Sequence, residues 1–100
     1  MSVQSELRNQ TSVGIREPRQ YNVIMLNDDF TTMEFVVMIL IEIFKKDSAT
    51  AEQLMLMVHR NGRAVVGAYP YDIAVSKVNK ALTKAKDAGF PFRMTVEESS

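Results

Sequence analysis

Apolar residues along the chain form short strand-like stretches and longer helix-spaced ones, separated by polar or glycine-containing breaks. Tyr21 to Leu26 is apolar, β-branched in part, and stops at Asn27-Asp28-Asp29, which predicts a strand entering a turn. A helix is then expected to run to about Lys46. Thr31 and Glu34 have the spacing of a capping box, with Phe30 placed to staple against Phe35. On a helical wheel Met33, Val36, Val37, Leu40, Ile43 and Phe44 share one face, whereas Met38 and Ile41 fall on the polar side. Asp47 or Ser48 caps a second helix that ends at Asn61-Gly62, a left-handed stop. Leu54, Met55 and Val58 form its apolar stripe, with His59 beside it.

Arg63 to Tyr69 reads as a second strand, and Pro70 opens a third helix. That helix buries Ala74, Val78, Ala81, Leu82 and Ala85, presents Lys77, Lys80 and Lys84 as a basic stripe, and stops at Gly89. Phe92 to Val96 alternates as a final strand. The order β-α-α-β-α-β predicts a single small α+β sandwich, a three-stranded antiparallel sheet covered by three helices. Residues 1–20 are polar and aperiodic, carry Gly14 and Pro18, and read as a flexible arm before a core domain over 21–98.

Composition narrows the chemistry. Twelve Lys and Arg balance twelve Asp and Glu, which argues against a main role in binding nucleic acid or an anionic membrane. The absence of cysteine removes disulfides, thiol nucleophiles and Cys-ligated metals, and a single histidine removes His-rich metal sites. No cofactor is therefore expected. The longest apolar run, Phe35 to Ile41, is far short of the ~20 residues of a membrane span. Met1–Gln10 lacks the apolar stretch of a signal peptide, so a cytoplasmic protein is expected.

Asn27, Asp28, Asp29 and Thr31 sit between a strand and a helix start. They fit turn and cap chemistry first, and as the sharper alternative a cluster of acceptors and negative charge able to hold an ammonium group. His59 fits a last-turn dipole or packing role as well as a ligand-binding one. No nucleophile elbow or phosphate loop is present, so catalysis is not expected. The methionines at 33, 38, 55 and 57 suit an irregular core or a site accepting several apolar shapes. A structural protein–protein module using Met38, Ile41 and the lysine stripe remains open on these patterns alone, with a hydrolase a distant third.

The strings YNVIMLNDDFTTMEFV, EQLMLMVHRNGRAVVG and DIAVSKV, in that order, closely resemble the ClpS family of adaptors in the bacterial N-degron pathway. The resemblance covers Tyr21 to about Glu98. It implies a non-catalytic adaptor that binds the free N-terminal residue of a protein, chiefly Leu, Phe, Tyr or Trp. Delivery is then to the N-terminal domain of a ClpA-type AAA+ unfoldase for ClpP-dependent proteolysis. By the same resemblance Asn27, Asp29 and His59 receive the substrate α-ammonium, with Asp28 adding negative charge. Thr31, Met33, Val36, Met55, Val58 and Phe92 line the side-chain pocket, and Met33 acts as the gatekeeper that crowds out β-branched residues. Asp72 and Lys77 belong to the unfoldase-binding surface, and the N-terminal arm engages the unfoldase during delivery. Three positions depart from the family pattern: Thr32 replaces a usual proline, Pro70 a common threonine cap, and Phe92 a usual pocket leucine.

Overall fold

The computed structural model describes residues 19–99, so the greater part of the expected arm, residues 1–18, lies outside the described residues. The elements are β1 (Gln20–Leu26), α1 (Met33–Glu42), α2 (Ser48–Asn61), β2 (Arg63–Pro70), α3 (Tyr71–Ala88) and β3 (Arg93–Glu98). The sheet order is β2-β1-β3 with both pairings antiparallel, which is the expected α+β architecture.

Alternation along the strands decides where the core lies. Val23 and Met25 of β1, Ala64 and Val66 of β2, and Met94 of β3 join one buried cluster with the apolar stripes of the helices. Ile24 points the other way. It is 1% exposed, yet it stands outside that cluster, between Val65 and Thr95 in register. On its face Arg63 and Glu97, from the two edge strands, pair at 3.7 Å across the central one. The β1–β2 register shifts between Val23 and Ile24, leaving Val66 as the extra residue of a bulge. Next to it Gly67 leaves room for the Tyr69 side chain: a Cβ there would lie 2.8 Å from the Tyr69 hydroxyl, which would have to shift.

The helix starts and stops follow local chemistry, with some departures from the sequence expectation. Asp47 caps α2 through the Thr50 amide at 2.8 Å, and Gly62 ends that helix at φ 89°. The cap of α1 is Thr32, not Thr31: its hydroxyl accepts from the Phe35 amide at 3.2 Å. Thr31 is drawn away because Asp28, three residues earlier, accepts from its amide and its hydroxyl. The one-residue shift also removes the expected staple, since Phe30 is 73% exposed while Phe35 packs edge-on against Phe90 and Phe92.

The buried face of α1 is rotated from the expected one. Phe35, Val36, Ile39 and Leu40 are buried, Val37 is partly so, and Met33 is 43% exposed. The helix also stops before Lys46. Lys45 takes a left-handed φ of 58°, and the Lys46 amide reaches back to the Leu40 carbonyl at 3.0 Å. Pro70 is the N-cap of α3 rather than its first residue, and it supplies no side-chain cap. Lys77 leaves the solvated basic stripe altogether. Its ammonium donates to the Ile43 carbonyl at 3.0 Å and lies over the rings of Phe44 and Tyr69.

Candidate functional site

The turn after β1 and the last turns of α2 are brought together by the backbone. The Asn27 amide donates to the Gly62 carbonyl at 2.9 Å, which fixes the start of the turn against the end of the second helix. Between them opens a cavity of about 410 Å³. Asn27, Asp28, Asp29, Thr31 and His59 supply its polar wall, and Met33, Met55 and Val58 its apolar one. Eight of the residues expected to bind substrate therefore share one cavity, although 28 or more positions separate His59 from Asn27, Asp28, Asp29 and Thr31 of the turn.

The polar groups of this wall divide into two kinds. Asp28 is occupied. One carboxylate oxygen accepts from the amides of Phe30 and Thr31, each at 2.8 Å, and the other from the Thr31 hydroxyl at 2.7 Å. Partial burial works to raise its pKa. The Thr31 hydroxyl, the two amides and the charge of Arg93 together outweigh it and hold the group below the ordinary carboxylate value. By contrast, the side chains of Asn27, Asp29 and His59 make no hydrogen bond or ion pair among the described residues. Asp28 thus braces the turn, while the other three present open acceptors to whatever enters.

Two expected pocket residues take a different place. Val36 and Phe92 are 7% and 5% exposed, sit in the core cluster, and are not on the cavity wall. The larger ring at position 92 packs against Phe35 at 5.9 Å, edge to face. Conversely, Phe30 and Thr32 line the cavity without having been expected to. An aromatic inside an otherwise polar turn was the available signal for Phe30, and the apparent staple concealed it.

Elsewhere, Met33, Val37, Met38, Ile41 and Met55 line a groove of about 540 Å³, which gives the two off-pattern residues of α1 a common location. Asp72 lies with Tyr71, Val75 and Lys80 along a depression of about 780 Å³ on α3, and Lys77 does not line it. Among the described residues no three His, Cys, Asp or Glu side chains are grouped to hold a metal ion. Nor is any described helix long and apolar enough to cross a membrane.

Comparison with known proteins identifies the family and the fold. Residues 16–95 match the family model described as ATP-dependent Clp protease adaptor protein ClpS. The ATP-dependent Clp protease adapter protein ClpS of Burkholderia thailandensis is 54% identical over 85 residues, spanning 85% of this chain and 82% of that one. Its counterpart in Burkholderia cenocepacia is 53% identical over the same shares. Among solved structures, Agrobacterium tumefaciens ClpS2 bound to L-phenylalaninamide superposes with a TM-score of 0.80 at 40% identity, covering 83% of this chain and all of that one. On the matched residues, the shared fold and these identities, the chain belongs to the ClpS family of ATP-dependent Clp protease adaptor proteins.

Proposed function

We propose that this Clp protease adaptor seats the free N-terminal residue of an N-degron substrate in the cavity between the β1–α1 turn and α2. It then hands that substrate to the protease's unfoldase. The observation that carries the reading is the set of open acceptors on Asn27, Asp29 and His59 beside the apolar wall of Met33, Met55 and Val58. An uncapped α-ammonium offers three donors and a positive charge. The first side chain of the substrate has an apolar wall within one residue's reach of them. Hydrogen bonds to a charged group contribute roughly 1.5–3 kcal/mol each, and burying a Leu or Phe side chain about 1.5–3 kcal/mol. Less the cost of ordering a peptide end, affinity falls near micromolar, about −8 kcal/mol.

Leu, Phe, Tyr and Trp are the side chains this site accepts. The bound phenylalaninamide of the Agrobacterium relative supports an aromatic occupant. Met33 narrows the entrance against β-branched residues. Thr31 contributes at the polar edge, and Val36 and Phe92 act from behind the wall by fixing Phe35 and the first turn of α1. Delivery is to the N-terminal domain of a ClpA-type AAA+ unfoldase in the cytoplasm, through a surface on α3. Asp72 is exposed there, and Lys77 sets the surface's attachment to the end of α1. The arm over residues 1–20 engages the unfoldase during transfer. The adaptor itself cleaves nothing.

Fluorescence anisotropy with peptides differing only at their first residue tests the reading. Leu- and Phe-initiated peptides are expected to bind, and the acetylated-Leu and Val-initiated ones at least about tenfold more weakly, a tenfold change being 1.4 kcal/mol. Equal affinity for all four overturns it.

A further inference from the structure

Phe30 is the most exposed large apolar side chain of the described residues, at 73%, and it stands on the wall of the substrate cavity. It is not a loose surface residue. The Asp28 carboxylate holds its amide at 2.8 Å and the next amide at the same distance, so an ordered turn presents the ring. No aromatic partner engages it, whereas Phe35, Phe44, Phe90 and Phe92 each contact another ring. On the reading above, the bound ammonium lies against Asn27 and Asp29, which come just before Phe30 on the same cavity wall. The second residue of a bound chain has its Cα 3.8 Å from the first across a trans peptide. It therefore cannot leave the neighbourhood of this turn. The most exposed large apolar surface on that wall is the Phe30 ring, at 73% against 43% for Met33.

We propose that Phe30 is a specificity-determining residue that reads the second residue of the substrate, favouring a large apolar or aromatic side chain able to pack on its ring. Selection by the adaptor then has two parts. The cavity reads the first side chain, and the ring at its lip reads the next. Asp28 acts in this as a positioning residue, because its carboxylate fixes the turn from which Phe30 projects. Aromatic pairs gain beyond their area burial, which places the expected preference at about fivefold.

The inference rests on the pocket reading, and the experiment separates the two. Anisotropy is measured for two peptides that begin Leu-Phe and Leu-Ala and are otherwise identical, with leucinamide as a competitor. The wild-type protein is expected to bind the Leu-Phe peptide about fivefold more tightly, Phe30→Ala to bind both alike, and Phe30→Tyr to restore the preference. A preference that survives in Phe30→Ala, or one absent from the wild type while leucinamide still competes, overturns the role of Phe30 alone. Failure of leucinamide to compete with either peptide overturns the pocket reading and this inference with it.

Discussion

At its first turn α1 faces a cavity whose wall carries open acceptors, whereas at its last turn the chain closes the helix with its own cation. The two ends start from opposite fields. Backbone dipoles make a helix C-terminus negative, and there the Lys77 ammonium donates to the Ile43 carbonyl and stacks over Phe44 and Tyr69. They make an N-terminus positive, ordinarily a seat for anions. If an ammonium is to dock beside the first turn, that field must be reversed. The turn does so in two steps. Asp28 and the Thr32 hydroxyl take up the exposed amides of Phe30, Thr31 and Phe35, and Asp29 adds a second carboxylate facing the cavity. One end of the helix thus receives a cation from its own chain, and on the proposed reading the other is rebuilt to receive one from another chain.

The sharpest way to break this contrast is to remove the open acceptors. Asn27→Ala with Asp29→Ala deletes two side chains that make no hydrogen bond or ion pair among the described residues, so the stability measured by urea denaturation should stay within about 0.5 kcal/mol. Affinity for a Leu-initiated peptide should fall at least about a hundredfold, since each lost bond to a charged partner is worth roughly 1.5–3 kcal/mol. A double variant that binds normally means the turn is only a turn.

Lys77→Met gives the opposite signature. It keeps the aliphatic stem and loses the donor to Ile43 and the charge over two rings. The expected cost is about 1–3 kcal/mol of stability in urea, with peptide affinity unchanged. Loss of peptide binding without loss of stability would mean that the two ends of α1 are not separate devices.

How much of this was legible beforehand follows the range of the interactions. The element order, the Asp47 cap and the Gly62 and Gly89 stops rest on signals within a few residues, and the structure has them. The clustering of Asn27 and Asp29 with His59 came from family resemblance. No local pattern reveals the Asn27–Gly62 backbone bond that joins the two walls. Lys77 looked solvated because its acceptor is 34 positions away. The face of α1 was right at Val36, Leu40, Ile43 and Phe44 but rotated at Met33, because apolar residues occupy nearly its whole circumference, and a wheel does not separate core from groove when Val37, Met38 and Ile41 are apolar too. Its early end at Glu42, followed by a left-handed Lys45, had no signal at all, a left-handed lysine being unannounced by glycine or proline. Two adjacent threonines made the cap ambiguous, and the competitor that settled it was a third residue, Asp28.

That settlement yields the smallest and most selective prediction. Because Asp28 has its pKa below the ordinary value of about 3.9 in the folded protein, its ionised form favours the folded state. The contribution is complete above that value and is lost as pH falls through it toward the lower folded value. Thr31→Val removes the hydroxyl that donates to Asp28, so the Asp28 carboxyl should titrate closer to its ordinary value and the acid-side loss of stability should shrink. Thr32→Ala removes the helix cap instead, which costs about 0.5–1 kcal/mol at neutral pH and leaves the Asp28 titration where it was. Carboxyl titration by NMR, paired with urea denaturation at pH 7 and pH 3, distinguishes the two threonines. If Thr32→Ala were to move the Asp28 titration while Thr31→Val cost the helix its cap, α1 would begin one residue earlier. The carboxylate that reverses the field at its open end would then be misassigned.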